Sequence, residues 1–599
     1  MEDRRNLIIA ILLTGLILFG WPYVASTFFP TPPAETSTAK AGNAPVGAPT
    51  SDIAIGAGAA PIKTVALGTA LGGNPRVLIE TPKLKGSINL EGARIDDLLL
   101  LAHRTALAKD SDPIRLFAPS GTKEAYFARF GWSGTGITAP NEQTVWTPSS
   151  GKLTPSTPVT LTWTNPQGQK FDIALSIDKD YMITAEQRFT NGGTTTAQVA
   201  PYGLINRASK PKDPDTWNIH VGPMGVFNGT SNYDLDYGNL DGEEPGFFSK
   251  LFGTTAVAGD NQFKSTGGWL GFTDTYWLAA LIPDQKTAIN ASFRAGNGNY
   301  QGQMVSRTQT VVAPGQSFTK TSRLFAGAKE ADILAGYKDN LGISNLDFAI
   351  DWGWFWFIAI PFFWILHWLF GVFGNFGVAI IGLTIIVRLF MFPVAQKQFA
   401  SMAQMRVVQP KMKAVQERWK DDKPKMQQEM MKLYKDEKVN PLAGCLPIVL
   451  QIPIFFALYK ILMLSIEMRH QPFALWLKDL SVPDPSAQLL FNLLGTGIIL
   501  PAFIAIGVLP ILLGVTMWLM QKLNPQPMDE VQKQVFAIMP WFLMFIMAPF
   551  AAGLQLYWVM SNIISIGQQK WLYSRHPILK QQAAKDAEDK AAGKAKAGA

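Results

Sequence analysis

The sequence predicts an α-helical polytopic membrane protein with six transmembrane helices and a large all-β domain on the outer side of the membrane. Three observations predict it. Of the 599 residues, 47% are hydrophobic and only 16% charged; apolar runs of membrane-spanning length gather at the two ends of the chain; and the stretch between them alternates in short segments broken by turn residues. The formal net charge is +8, but Lys and Arg are not interleaved with aromatics as base stacking requires. Sequence-specific nucleic-acid binding is therefore not expected, whereas a basic tail drawn to a ribosome is. The single cysteine, Cys445, excludes an intrachain disulfide. The five histidines show no H-x-x-x-H or H-E-x-x-H spacing, so no metal and no cofactor is expected.

Residues 1–29 place Arg4 and Arg5 before an apolar run that ends in Trp21, Tyr23 and Phe29, which predicts a transmembrane anchor with a cytoplasmic N-terminus. The alternative is a cleaved signal peptide with "VAS" as its small-residue site, but the run is longer than a typical signal core. Residues 30–61 are rich in Pro, Ala, Gly, Ser and Thr and predict a flexible linker, since they hold too little apolar surface to fold. Residues 62–325 predict a β-sandwich: "SINLEGARIDDLLLL", "PVTLTWTNPQGQKFDIALSID" and "YMITAEQRFTNGGTTT" alternate in strand fashion, and "NPQG" and "NGG" are hairpin-type breaks.

The second half is assigned by charge. Two apolar runs follow each other, from Trp352 and from Gly377, and the loop 396–440 after them carries eleven Lys and Arg against six acids. The positive-inside rule puts that loop in the cytoplasm, so only one of the two runs crosses. Residues 326–374, with Trp352, Trp354, Trp356, Trp364 and Trp368, predict a connection and an interfacial amphipathic helix, and residues 375–395 the second transmembrane helix. Within 396–440, Met402, Met405, Val408 and Met412 make one apolar stripe and Met426, Met430 and Leu433 another, either side of "DDKP", which predicts a cytoplasmic helical hairpin. Its methionines either pack the hairpin on itself or offer a pliable apolar surface. The remaining crossings are expected at 441–466, 503–520, 533–547 and 554–572, with an outer loop at 467–502, a cytoplasmic loop at 521–532 and a basic cytoplasmic tail at 573–599.

Arg388, in "GLTIIVRLFMFP", is the informative residue. An arginine at a helix centre costs on the order of 3 kcal/mol on insertion scales. It lies 12 residues past Phe376, about 18 Å along a helix in a layer about 30 Å thick, so snorkelling helps only in part. None of the five C-terminal crossings contains Asp or Glu, and Glu467 sits at an outer end. Thr384, Gln451, Thr516, Gln521, Gln555, Ser561 and Asn562 are neutral polar groups that would line a water-holding concavity. A cationic wet cavity without its own anion is a site for an anion brought from outside; the plainer alternative is an arginine bonded to carbonyls or lipid phosphate as structural glue.

The strings "GLTIIVRLFMFP", "SMAQMRVVQPKMKAVQER", "YKDEKVNPLAGCLPIVLQIPIFFALY", "PFALWLKDL", "PILLGVTMWLMQKLNP" and "GLQLYWVMSNIISIGQQ" closely resemble the YidC/Oxa/Alb family of membrane protein insertases. The resemblance implies a β-supersandwich for the periplasmic domain, a five-helix core, and location in the bacterial inner membrane with both termini cytoplasmic. It implies a groove open to cytoplasm and lipid, in which Arg388 receives polar or acidic parts of a nascent membrane-protein chain. The apolar segment would slide along Ile452, Pro453, Phe455, Leu513, Tyr557 and Trp558; family members often carry a second tyrosine where Trp558 stands. It also implies the Sec translocon and the ribosome as partners. No P-loop is present, so apolar transfer into lipid and the membrane potential would drive insertion. Two rivals belong to other classes. A secondary transporter would use Arg388 to bind a small anion, but the crossings show no inverted repeat. An enzyme in the β-domain would draw on Asp213, Asp215 and His220, which form no defensible arrangement, so no catalytic residue is expected.

Overall fold

The computed structural model describes residues 64–575 apart from 109, 212–218, 243–260, 297, 421, 438–445, 494–505 and 524–529. The expected anchor 1–29, the linker 30–61 and the tail beyond 575 lie outside the described residues. The chain divides into two units, Met1–Ile350 and Asp351–Ala599.

Alternation builds the first unit. In the strand Arg76–Glu80, Val77 and Ile79 are buried while Leu78 between them is exposed, the period of a sheet with one covered face. Among the described residues the strands form one sheet of eleven and one of nine. The larger centres on Tyr126–Thr135 paired antiparallel with Ala197–Ala208, which pairs with Asn299–Ser306. The smaller centres on Met182–Thr190 between Lys170–Ile177 and Ser317–Ala328. Rings from the two sheets meet in the core, Trp132 on Phe171 at 5.2 Å and Phe272 on Phe293 at 5.7 Å. This is the sandwich the sequence predicts.

"NPQG" turns the hairpin between Val159–Thr164 and Lys170–Ile177, with Gly168 at φ +80°. "NGG" does something else: it carries the chain from the nine-stranded to the eleven-stranded sheet. Asn191 fixes that crossover by donating from Nδ2 to the carbonyls of Thr195 and Val312, each at 2.9 Å. The unit also runs past 325. In the helix Ala331–Leu341, Leu334 is fully buried and the Tyr337 hydroxyl donates to Asp178 and accepts the Tyr181 N–H at 3.1 Å. Residues 326–350 therefore belong with the β-domain, whereas the sequence groups them with the interfacial helix.

The second unit contains, among the described residues, α1 (Trp356–Phe373), α2 (Phe376–Phe390), α3 (Phe392–Arg418), α4 (Lys423–Asp436), α5 (Leu446–Leu464), α6 (Ser486–Leu493), α7 (Val508–Leu523), α8 (Glu530–Met547) and α9 (Ala552–Arg575). The expected crossing 375–395 breaks at Met391, where α3 departs from α2 at 58°. Pro393 causes the break, because it has no N–H to give the carbonyl four residues back and its ring clashes with that carbonyl. On length and composition one described helix, α1, is able to cross a membrane, or two if α2 and the start of α3 count as one bent span. The apolar stretches Leu450–Leu464, Val508–Leu523 and Gln534–Met547 are shorter than 18 residues, so six spans do not follow from these criteria. In the hairpin of α3 and α4, Val408 and Met412 are buried against Met405, Met430, Leu433 and Tyr434. Met405, Met412 and Met430 pack the hairpin on itself.

One segment organises the bundle. Residues 465–486 follow α5 and meet three helix N-termini, whose first N–H groups have no intrahelical partner. Asn375 caps α2 and donates to the Phe473 carbonyl at 2.9 Å. Asp484 accepts from the Leu509 N–H of α7 at 2.8 Å, the Ser486 N–H at 3.0 Å and the Trp476 indole at 2.9 Å. Ala552 and Gly553 of α9 donate to the carbonyls of Val482 and Leu480. The end of α5 and the starts of α2, α7 and α9 thus share one face of the unit.

Candidate functional site

Arg388 lies one turn beyond Thr384 on α2. It is half-buried; Nε donates to the Ser561 hydroxyl at 3.1 Å, Nη2 donates to the same oxygen, and Nη1 makes no hydrogen bond among the described residues. No carboxylate pairs with it among those residues. Ser561 is buried in a stripe of α9 at four-residue spacing, Tyr557, Ser561, Ser565 and Gln569, which places all four on one helix face. The Tyr557 hydroxyl accepts from Gln451 of α5 at 2.9 Å, and Ser565 donates back to the Ser561 carbonyl at 2.7 Å. Next to Ser561, Asn562 donates to the Thr516 hydroxyl of α7 at 3.1 Å. Arg388, Gln451 and Thr516 are therefore tied to one turn of α9.

Two of the expected groove residues are occupied elsewhere. Thr384 is fully buried and donates to the Ile380 carbonyl of its own helix at 2.6 Å, the back-bond open to a mid-helix threonine. Gln555 is also fully buried, and its Nε2 donates to the carbonyls of Met547 and Phe550, each at 2.8 Å. It closes the turn from α8 to α9, where carbonyls are left over at a helix end.

The expected sliding surface divides in the same way. Ile452, Pro453, Phe455 and Trp558 are half-buried, with the Phe455 and Trp558 rings 5.1 Å apart across α5 and α9, whereas Leu513 and Tyr557 are buried. Outside the helical unit, Asp213 and Asp215 lie beyond the described residues, and the ring of His220 is spent on the Pro223 carbonyl at 2.9 Å and on Tyr233. Among the described residues no three His, Cys, Asp or Glu side chains gather as metal ligands.

Sequence reasoning missed a second cation. Lys460 lies in α5, and its ammonium pairs with the carboxylate of Asp351, ahead of α1. The signal was Lys460 itself, set in "IPIFFALYKILML". A search for acids confined to the crossings could not find a partner that precedes them.

Comparison with known proteins follows the division of the chain. The family described as "YidC periplasmic domain" matches residues 76–365, and that described as "60Kd inner membrane protein" matches residues 368–581. A relative from Zymomonas mobilis, named membrane protein insertase YidC, is 45% identical over 581 residues, 96% of either chain. Another so named, from Nitrobacter hamburgensis, is 42% identical over 607 residues, again 96% of each. A solved structure of an active YidC insertase with its first transmembrane domain resolved is 16% identical, with 93% of this chain and 98% of that one covered at a TM-score of 0.35.

Proposed function

Because the chain belongs to the YidC family of membrane protein insertases, inner-membrane proteins with a periplasmic domain, we propose that Arg388 is the residue that receives polar or acidic segments of a nascent chain. The observation that carries this is the contrast between two cations of one helical unit. Lys460 has a carboxylate from its own chain; among the described residues, Arg388 has a serine hydroxyl and a guanidinium nitrogen left over. A buried charge held only for structure is matched by an internal counter-ion, since leaving it unmatched is costly. An unmatched charge part-way down a helix is matched by what arrives, and a client carboxylate docks on the guanidinium with charge-assisted hydrogen bonds.

The topology that suits this role has α1 lying along the outer surface and α2, α5, α7, α8 and α9 crossing. Its support is that both flanks of α1 reach the same face: Asp351 pairs with Lys460 near the end of α5, and Asn375 bonds the segment that follows α5. Composition suits it as well, since Trp364 and Trp368 are exposed on α1 as an interfacial helix would have them. The hairpin, with the basic residues around it, would then face the cytoplasm and the ribosome, and the Sec translocon would be a second partner. Both termini would be cytoplasmic. A polar client segment would enter beside Arg388 while its apolar segment passes Ile452, Pro453, Phe455 and Trp558 into lipid, at about 25 cal/mol per Å² of apolar surface removed from water.

The test is insertion into reconstituted vesicles. Arg388→Ala should lower insertion of a client with an acidic translocated segment by roughly tenfold and that of a neutral client by much less, while Arg388→Lys retains most activity. Equal losses for the two clients would make Arg388 a structural residue. The family membership leaves an anion transporter without support.

A further inference from the structure

We propose that Asp351, Gly353 and Lys460 form a positioning clamp that holds the client-facing side of α5 against α9; the inference rests on the insertase reading above. Four observations build it. Asp351 is held at both oxygens, one paired with the Lys460 ammonium and the other accepting the Gly353 N–H at 3.0 Å. Gly353 has φ +72°, and a Cβ on it would lie 3.0 Å from Lys460 Cε, so the chain reverses directly over the lysine stem. Only glycine combines that backbone conformation with so close an approach. Two residues on, Phe355 stacks with Phe456 of α5 at 6.3 Å. Beside Phe456, Phe455 meets Trp558 of α9 at 5.1 Å.

The clamp and the ring contacts form one continuous path from the start of α1, through the outer half of α5, to α9. Lys460 and Phe456 are four residues apart and share a face of α5. The segment 351–355 therefore grips α5 at two successive turns. What it fixes is the rotation of α5 about its own axis, and that rotation decides whether Phe455 faces Trp558. A rotation of one residue, about 100°, would turn Phe455 away from α9. Neither Asp351 nor Lys460 needs to touch the client; they act through Phe455.

The experiment uses the full chain in vesicles, with Cys445→Ser as background and all rates taken per folded protein. Two readouts are needed: the rate of disulfide formation between cysteines placed at 455 and 558, and the yield of a photo-crosslinker at 455 to a stalled client. Lys460→Met and Asp351→Asn should each slow the 455–558 disulfide and cut client crosslinking roughly fivefold, since removing one partner leaves the other uncompensated. Lys460→Arg should restore both. The double substitution Asp351→Asn with Lys460→Met removes both charges and leaves none unmatched; it should stay impaired if the pair positions α5, and recover if the pair only neutralises charge. Gly353→Ala, which alters no charge, should give the same loss. Unchanged disulfide rates in the single variants, or recovery in the double variant, would overturn the clamp. Failure of the insertase reading would look different: the chain left intact at Asp351, Gly353 and Lys460 would give no client crosslink at 455 while the disulfide between cysteines placed at 455 and 558 still formed.

Discussion

Glu330 joins the two sheets of the β-domain. Its carboxylate accepts from Lys83 at 2.9 Å and from the Tyr181 hydroxyl at 2.6 Å, with His103 Nε2 at 3.5 Å. Burial alone would push this carboxyl up, but the hydrogen bonds from His103, Tyr181 and Lys83 outweigh it and hold the pKa at about 2, below the usual 4.5. The folded form therefore binds its proton less readily than the unfolded one. The resulting stabilisation is complete above about pH 4.5 and is lost as the pH falls from there through about 2. Glu330→Gln should lower the melting temperature of this unit by a few degrees at pH 7, on the order of 3 °C for a domain of this size. By about pH 3 more than half of that difference should be gone. A difference constant from pH 7 to pH 3 in calorimetry would mean that the carboxylate is not what matters there. Arg388 and Lys460 carry the same lesson in the helical unit: a charge is interpreted through its partners.

At the scale of elements, the segment 465–486 does more than connect α5 to α7. Asp484 serves the N-termini of both α6 and α7 and holds the Trp476 indole. Asp484→Ala removes all of these bonds at once. Losing one N-cap costs about 1 kcal/mol, so this substitution should open the segment to proteolysis and amide exchange well before the rest of the unit responds. Protection that fell evenly over α5, α7 and α9 would show that the segment has no separate stability. This element also marks where the sequence is legible. The hairpin at "NPQG" could be read because alternation and turn chemistry are local, and α2 could be read because an apolar run is local too. The sheet crossover at "NGG" could not, because Asn191 is fixed by Val312, far along the chain. Gln555 looked like a groove residue because its polarity is visible in sequence, whereas the leftover carbonyls of the α8–α9 turn that consume it are not. Asp351 was passed over for the same reason: its role is set by Lys460, 109 positions later.

At the scale of the whole molecule, the boundary at Ile350 decides how the two units can be separated. The sequence placed the end of the β-domain at 325, which would cut inside the strand Ser317–Ala328 and ahead of the helix Ala331–Leu341 that packs on the same unit. Removing residues 62–325 therefore strands that helix, with Leu334 stripped of its cover and the Tyr337 hydroxyl without Asp178. Exposed apolar surface of this kind favours aggregation. Removing residues 62–350 takes the helix as well, and it spares Asp351, so the clamp on Lys460 stays complete. The longer deletion should therefore insert client chains at a rate within about twofold of the full protein, and the shorter one should be recovered from membranes in lower yield. If the longer deletion abolished insertion while its helical unit kept the 455–558 disulfide, the β-domain would take part in insertion itself, and Arg388 with the α5 and α9 surfaces would be only part of the working machinery.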